Sequence, residues 1–193
     1  MVCSGPVLFI RRPSAPTLDR LLGEARRGAP TYAQVGATKE GVLPEGYRGD
    51  SDHVSLGRGD EIFERAVAAV RRWQAQRGAG IEVSPSDATV VEGDTTLLLI
   101  HALGFWTVAP CRVVYVQEEA DRFAFAYGTL PGHPEEGEAS FSVARFEDGE
   151  VQFRVASFSR PADPLARIAK PVTRRIQRRV TLRYLTAIES ASR

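Results

Sequence analysis

The hydrophobic positions of the chain change from a helical period to a strand-like period near residue 80. Apolar residues recur at helical spacing before that point, which predicts a helix over 60–78 that begins at an Asp60 N-cap and stops at Gly78. Its apolar stripe consists of Phe63, Val67, Val70 and Trp73. After it, apolar and polar residues alternate, and short turns between the alternating segments favour antiparallel hairpins. The predicted strands are 89–92, 95–103, 110–118, 122–129, 139–147 and 150–159.

A second helical pattern lies at the C-terminal end, over 163–190, with Asp163 as the N-cap and Pro164 in the first turn. Pro171 lacks the N–H that would bond back one turn, so we expect a kink near residues 169–170. The apolar stripe of this helix is predicted to contain Leu165, Ile168, Val172, Ile176, Val180 and Ala187.

The first 59 residues predict an irregular region with one short helix over 16–27 and a long loop over 28–59. The whole order of elements predicts a single α+β domain over 1–193, with a curved antiparallel β-sheet wrapped around the long C-terminal helix. Such an arrangement leaves a space between sheet and helix in which an apolar or amphipathic small molecule can bind.

The composition of the chain limits which partners it can attract and in which cellular compartment we expect it. The net charge of +1 gives no overall attraction to polyanions. Cys3 and Cys111 have no spacing typical of a zinc site, so we expect a reduced intracellular protein with no metal and no cofactor. The sequence contains neither a signal peptide nor an apolar stretch of the ~20 residues that a membrane span needs, which predicts a soluble cytoplasmic protein.

The aromatic residues of strand 122–129 are the first candidates for ligand contacts. Phe123, Phe125 and Tyr127 lie on one face and small residues on the other, so the aromatic face is predicted to pack under the helix or line the cavity. Trp106, near the turn after strand 95–103, either gates a pocket or packs in the core. Arg112 and Tyr115 are predicted on opposite faces of their strand; an Arg112 in the cavity would hold a carboxylate, and one outside it would form an ion pair.

The loop "TLPGHPEEG" (129–137) combines turn residues with titratable side chains. His133 and the following Glu138 are candidates for polar contacts at the cavity mouth. The alternative is structural, with either side chain bonding the loop backbone. An acid/base pair is a weaker hypothesis because no nucleophile is identified, so the sequence predicts no catalytic residue and leaves enzymatic activity open.

The C-terminal helix also carries a run of basic residues without an acid. This basic face either contacts the phosphates of nucleic acid, an anionic membrane or an acidic protein, or is solvated and paired within the molecule. Its members are Arg167, Lys170, Arg174, Arg175, Arg178, Arg179 and Arg183.

Five stretches together resemble the uncharacterised DUF1990 family, also called UPF0548. They are "YAQVGATKEGVLPEGY" (32–47), "LGRGDEIFERAVAAVRRW" (56–73), "CRVVYV" (111–116), "FAYGTLPGHPEEGEASF" (125–141) and "FSRPADPLARIAKPVTRRIQRR" (158–179). The resemblance implies a helix-grip fold of the START and Bet v 1 type, a superfamily whose members commonly bind lipids, hormones or aromatic compounds. It implies no established activity, and fold alone does not determine function.

Overall fold

The structure is a computed structural model that describes the backbone of residues 7–162 and 170–193 and the side chains of 8–162 and 177–193. Its strands are β1 (Val7–Phe9), β2 (Arg48–Arg58), β3 (Glu82–Ser84), β4 (Thr95–Ala102), β5 (Phe105–Glu118), β6 (Arg122–Thr129), β7 (Glu135–Arg145) and β8 (Glu150–Pro161). Its helices are α1 (Ala15–Arg27), α2 (Ala37–Glu40), α3 (Asp60–Arg71), α4 (Gln74–Gly78) and α5 (Lys170–Ser192).

The strands form one antiparallel sheet in the order β2-β8-β7-β6-β5-β4-β3, and β1 pairs with the first part of β5. We call the face covered by α3, α4 and α5 the inner face and the opposite one the outer face. The outer face is covered in part by α1, where Leu18, Leu21 and Leu22 pack against Leu97 and Leu99. The predicted fold class, an α+β fold with an antiparallel sheet around a C-terminal helix, is therefore confirmed.

The predicted helix over 60–78 is divided into α3 and α4 by Trp73, which has a φ of 59°. A bulky residue in this region costs about 1–3 kcal/mol. The indole is completely buried in the inner core, and that burial offsets the cost. Gly59 occupies the N-cap position predicted for Asp60, which is the first helical residue and pairs with Arg145.

Several strand predictions were wrong in the less regular parts of the chain. Strand β2 lies inside the predicted 28–59 loop; most of its side chains are exposed at the sheet edge, so its sequence lacks an apolar alternation. Residues 89–92 form no strand, because the Val90 N–H donates to the Arg71 carbonyl at the end of α3, at 2.9 Å. Strand β3 lies just before this segment.

Helix α5 packs against the inner core through Tyr184, Leu185 and Ile188, with Val180 at the edge of the same cluster. Ala187 lies against Gly78 of α4, where an added Cβ would be 2.5 Å from the Ala187 Cβ. The N-terminal part of the predicted helix, over 163–169, and the kink expected beside it lie outside the described residues. Neither α5 nor any other helix in the described ranges combines the length and the apolar character that crossing a bilayer requires.

Candidate functional site

An aromatic cluster fills the centre of the inner face and reaches from the sheet to α5. Phe125 and Phe141 stack with centroids 5.3 Å apart, and Tyr127 stacks on Phe141 at 5.6 Å. Trp73 meets Phe125 edge-on at 5.2 Å, while Tyr184 of α5 meets Phe141 edge-on at 5.4 Å. The sheet and the helices are thus joined by contacting rings rather than by aliphatic side chains alone.

The predicted orientation of β6 agrees with this packing. Phe123, Phe125 and Tyr127 are buried in the inner core, and Ala124 and Ala126 lie in a separate cluster on the outer face. Strict alternation along β6 produces this division, because the strand contains no irregularity in its pairing with β7.

Polar groups without hydrogen-bond partners lie beside these rings. The Trp73 Nε1 atom and both polar atoms of the Gln76 amide are buried and form no hydrogen bond of normal geometry in the described part of the protein, although the Gln76 amide lies close enough to the Tyr127 hydroxyl to lower the pKa of that phenol slightly. Leaving a buried polar group unpaired costs about 1–3 kcal/mol. Together with their neighbours Cys111, Tyr127 and Tyr184, these residues form what we call the inner polar cluster.

The two phenols of the inner polar cluster are protonated at neutral pH. The pKa of Tyr127 is raised well above its ordinary value, first by burial and then by the neighbouring Tyr184 group. Burial also raises the pKa of Tyr184 and that of the Cys111 thiol. The inner polar cluster therefore carries no charge and offers only neutral donors and acceptors.

The two phenols of the inner polar cluster are slightly more accessible to solvent than the neighbouring Phe125 ring. Tyr127 and Tyr184 are each 8% exposed, although both lie between sheet and helices, whereas Phe125 on the same strand is 1% exposed. At the end of the sheet where α5 begins, Glu135 of β7 accepts a hydrogen bond from Gln177 of α5. This Glu135–Gln177 pair links the sheet to the helix.

On the opposite face, a buried carboxylate is fully paired. The Oε2 atom of Glu138 accepts hydrogen bonds from the Tyr32 hydroxyl and the Gly36 N–H, both at 2.7 Å. Its Oε1 atom accepts from the Thr38 N–H at 3.0 Å and from the Thr38 hydroxyl. Tyr115 completes this outer carboxylate cluster, since its hydroxyl lies 3.0 Å from the Thr38 hydroxyl.

Two glycines permit the close packing around the outer carboxylate cluster. A Cβ on Gly128 would lie 2.1 Å from the Tyr32 hydroxyl oxygen. Gly137 has a φ of 148°, and a Cβ there would lie 2.0 Å from the Phe158 carbonyl oxygen. Glycine in the "YGTLPGH" and "EEGEASF" segments therefore serves close packing of the 32–38 segment and of β8.

His133 bonds to its own loop, as the structural alternative proposed. Its Nδ1 accepts a hydrogen bond from the Glu135 N–H at 3.0 Å, and burial lowers the pKa of the imidazole to about 4. The ring is therefore neutral at physiological pH. The pKa of Glu135 is raised mainly by burial, and the charge of Asp50 adds to that effect.

Arg112 and Tyr115 share the outer face, so the prediction of opposite faces was wrong. The pairing of β5 with β6 shifts between Val113 and Tyr115, and this β-bulge reverses the alternation by one residue. Arg112 donates to the Arg26 carbonyl at 2.9 Å and to the Thr95 hydroxyl oxygen at 3.2 Å, which fixes the C-terminal end of α1. Its contacts are thus with the protein itself.

Trp106 also lies apart from the inner face. It packs at the edge of the α1 cluster and stacks on His101, with ring centroids 4.8 Å apart. Of the eight predicted ligand contacts, the structure brings together Phe123, Phe125 and Tyr127 on the inner face, and it places Trp106, Arg112, Tyr115, His133 and Glu138 in other surroundings.

Sequence reasoning missed the most informative residues of the inner face. The helical pattern places Trp73 in the apolar stripe of 60–78, and the spacing of apolar residues by itself distinguishes neither Gln76 nor Tyr184. The available signal was Gln76, a polar residue three positions after Trp73 in a helical stretch. Within the described side chains, no three His, Cys, Asp or Glu residues converge on a position for a metal ion.

The basic face of α5 is described only in part. Arg178, Arg179 and Arg183 are exposed, and Arg183 donates to the Ala79 carbonyl at 3.4 Å. The side chains of Arg167, Arg174 and Arg175 lie outside the described residues.

The architecture defines the class of protein, an α+β helix-grip fold with a largely apolar interior between sheet and helix. A hypothetical protein from Helicobacter pylori has the same arrangement, with a TM-score of 0.56 and 12% identity, covering 86% of this chain and 96% of that one. The Zhui aromatase/cyclase from Streptomyces matches with a TM-score of 0.54 and 13% identity, covering 76% and 93%. At these identities the similarity shows the fold alone.

Within this class, the chain belongs to the DUF1990 family, described as a domain of unknown function, whose sequence model matches residues 31–187. A UPF0548 protein from Deinococcus radiodurans is 33% identical, covering 96% of this chain and 99% of that protein. A UPF0548 protein from Dictyostelium discoideum is 28% identical, covering 86% and 87%. The family resemblance inferred from the five sequence stretches is confirmed.

Proposed function

We propose that the protein binds a small, neutral, amphipathic molecule in the interior between the sheet and α5. The observation that carries this proposal is the set of unpartnered polar atoms on Trp73 and Gln76, buried among aromatic rings. Buried polar groups in proteins are almost always hydrogen-bonded, so atoms without a protein partner mark a place where another molecule supplies one.

The surrounding residues define the chemistry of the ligand. The rings of Phe125, Phe141 and Tyr127 favour a flat, apolar body. Trp73 Nε1–H requires an acceptor, and the Gln76 amide offers both a donor and an acceptor. A phenol, lactam or similar neutral group fits this pattern, whereas an ionised group would bury its charge without a countercharge.

We place the entrance to this site at the Glu135–Gln177 pair. The Glu135–Gln177 pair lies between β7 and α5, at the end of the sheet where α5 begins. Breaking one side-chain hydrogen bond is a small cost for opening a path. The solved aromatase/cyclase shares the fold, which supports the idea that this architecture accommodates aromatic molecules, although a shared fold does not transfer a reaction.

The proposal is tested with 2-naphthol, a flat neutral phenol, followed by saturation-transfer-difference NMR. We expect saturation transfer to 2-naphthol with wild type and at least about tenfold weaker binding with Gln76→Leu, which removes the amide at similar volume. Gln117→Leu is the matched control, because Gln117 also has an unpartnered buried oxygen but lies outside the inner polar cluster. Equal binding by all three proteins, or by none, would contradict the proposal.

A second function, contact of the basic face of α5 with a polyanion, is supported by the exposure of Arg178 and Arg179. Such contact releases counterions and weakens as salt rises. We expect binding to heparin that weakens with salt and is reduced in Arg178→Glu/Arg179→Glu. Retention of wild type on heparin that is independent of both salt and this double substitution would contradict it.

A further inference from the structure

Exposed apolar side chains gather at the tip of the β4–β5 hairpin and on the adjoining β1. Ile10 is 80% exposed and Leu103 is 77% exposed, and Leu8 and Phe105 are also largely exposed. We call these four residues the apolar tip. Scattered exposed apolar residues are ordinary on protein surfaces, but a contiguous group marks a surface that contacts something else.

The strand pairing places the members of the apolar tip together. Leu8 lies opposite Thr107 and Phe9 lies opposite Trp106, so Leu8 and Phe105 project from the same side of the ribbon. Ile10 follows Phe9, so continuing the same antiparallel register puts Ile10 opposite Phe105. The hairpin turn holds Leu103 at the end of this patch, since Ala102 pairs with Phe105.

The backbone conformation of Leu103 lowers the stability of the folded protein. It has a φ of 53° in a two-residue turn with Gly104, where Asn or Gly is preferred and a branched aliphatic residue is strained. Its side chain is mostly in solvent, so it recovers little stability from burial. An apolar side chain that is costly to the fold is best explained by a contact outside the fold.

The charges around the apolar tip indicate the kind of surface it contacts. Residues 7–12 and 100–109 contain Arg11, Arg12 and His101 but no Asp or Glu. Arg11 and His101 are exposed, while Arg12 pairs with Glu82 at 2.7 Å. Trp106 is half-buried against His101 on the other side of the ribbon from Phe105, close to the apolar tip.

We propose that the apolar tip inserts into the surface of an anionic phospholipid bilayer, with the exposed Arg11 at the level of the headgroups. Aliphatic and aromatic side chains partition into the acyl boundary, and cations near it are attracted to anionic lipids. Exposed Leu and Ile beside Arg11, with Glu82 already paired to Arg12, fit this partner better than nucleic acid, which is bound by basic and stacking residues.

The test uses flotation of the full chain with vesicles of phosphatidylcholine alone and of an equimolar mixture with phosphatidylserine. Wild type is expected to float with the mixed vesicles and to bind phosphatidylcholine more weakly. Leu103→Asn/Phe105→Ser is expected to lose at least about tenfold in binding, and Asn is well suited to the left-handed turn position. Phe146→Ser is the matched control, since Phe146 is 49% exposed, against 48% for Phe105, and lies between β7 and β8 at the opposite end of the sheet.

Tryptophan emission gives a second readout. The chain has two tryptophans, and Trp73 is fully buried while Trp106 lies beside the apolar tip. We expect mixed vesicles to shift the emission of wild type and Phe146→Ser to shorter wavelength, and to leave Leu103→Asn/Phe105→Ser unchanged. Near-ultraviolet circular dichroism identical to wild type verifies that the double variant is folded.

Three results would overturn the proposal. One is no flotation of wild type with mixed vesicles. A second is equal flotation of the tip variant and Phe146→Ser. The third is a wild-type dimer in sedimentation equilibrium that the tip substitutions convert to monomer, since a second copy would then cover the patch. Vesicle binding by Gln76→Leu equal to wild type would separate this surface from the proposed ligand site.

Discussion

The inner and outer faces of the sheet bury polar groups in different ways. In the outer carboxylate cluster, both oxygens of Glu138 accept hydrogen bonds from the protein and no accepting capacity is left over. In the inner polar cluster, atoms of Trp73 and Gln76 have no partner in the described part of the protein. Complete pairing is typical of a structural role, and the incomplete pairing is the observation on which the ligand site proposed above rests.

Neighbouring residues of the same strands carry this difference. Tyr127 points to the inner face and Gly128 to the outer face, where Glu138 lies opposite it on β7. The segment that looks most like a site in the sequence, the glycine- and acid-rich loop with its flanks, therefore secures residues 32–38. The better candidate for ligand binding is formed by residues that look like ordinary core.

The largest expected effect comes from removing the outer carboxylate. Glu138→Ala leaves the Tyr32 hydroxyl and the Gly36 and Thr38 N–H groups without their acceptor. We expect the free energy of unfolding, measured by urea denaturation, to fall by about 3–5 kcal/mol.

Glu136→Ala is the control for this change, because Glu136 forms a surface ion pair with Arg160 at 2.7 Å. Its loss should cost less than about 1 kcal/mol. Similar losses in the two variants would show that the outer carboxylate cluster is not the structural centre described here.

Gly128→Ala tests the close approach of Tyr32 to the sheet. The added methyl group would lie 2.1 Å from the Tyr32 hydroxyl oxygen, so the 32–38 segment must move away. We expect a loss of about 2–3 kcal/mol in urea denaturation. Gly23→Ala in α1 meets no atom within 4 Å and should gain up to about 1 kcal/mol from helix propensity; a loss of the same size in both variants would refute the steric explanation.

Gln76→Leu is expected to have the opposite sign. The substitution removes an amide whose atoms are buried without partners, so the ligand-free protein should gain about 1–2 kcal/mol while binding of 2-naphthol is lost. Urea denaturation of extensively dialysed protein measures the first effect. If Gln76→Leu destabilises the protein, the Gln76 amide is hydrogen-bonded within the fold and is not free to bind a ligand.

The last expected effect is a dependence of stability on pH that comes from His133. The pKa of the folded imidazole is lowered to about 4, below the ~6.5 of an unfolded histidine. Between these values only the unfolded state gains a proton, so the unfolding free energy falls as pH drops from about 6.5 to about 4.

His133→Gln should remove this dependence, so that the difference between wild type and variant changes by about 2–3 kcal/mol across that window. Glu135, whose pKa is shifted in the opposite direction, is present in both proteins and cancels in the difference. A difference that stays constant with pH would contradict the buried, neutral imidazole.

The strands and helices without irregularities could be predicted, because the alternation of apolar and polar residues in the sequence determines which side chains they bury. The inner orientation of Phe123, Phe125 and Tyr127 follows from simple alternation in a strand without a bulge. The faces of Arg112 and Tyr115 could not be predicted from the sequence. One extra residue at the bulge of β5 moves the side chains that follow it to the other face of the sheet, and no residue near the bulge has a sequence signal for it.

The site depends on contacts between distant parts of the chain. Glu138 meets Thr38 across 100 residues of sequence, and Trp73 meets Phe125 only after the sheet has formed. Glu138 follows the acidic residues Glu135 and Glu136, and Gln76 lies between Gln74 and Arg77, so the neighbouring residues mark neither side chain as buried. Only the folded structure distinguishes the side chain that has found its partners from the one that has not.

The central claim is that the inner polar cluster holds a ligand, and native mass spectrometry of the purified protein tests it most directly. We expect wild type and Gln117→Leu to carry a neutral small molecule as an adduct that organic extraction removes, and Gln76→Leu to show the mass of the bare chain. Only bare chain in wild type, or the same adduct in Gln76→Leu, would contradict the claim.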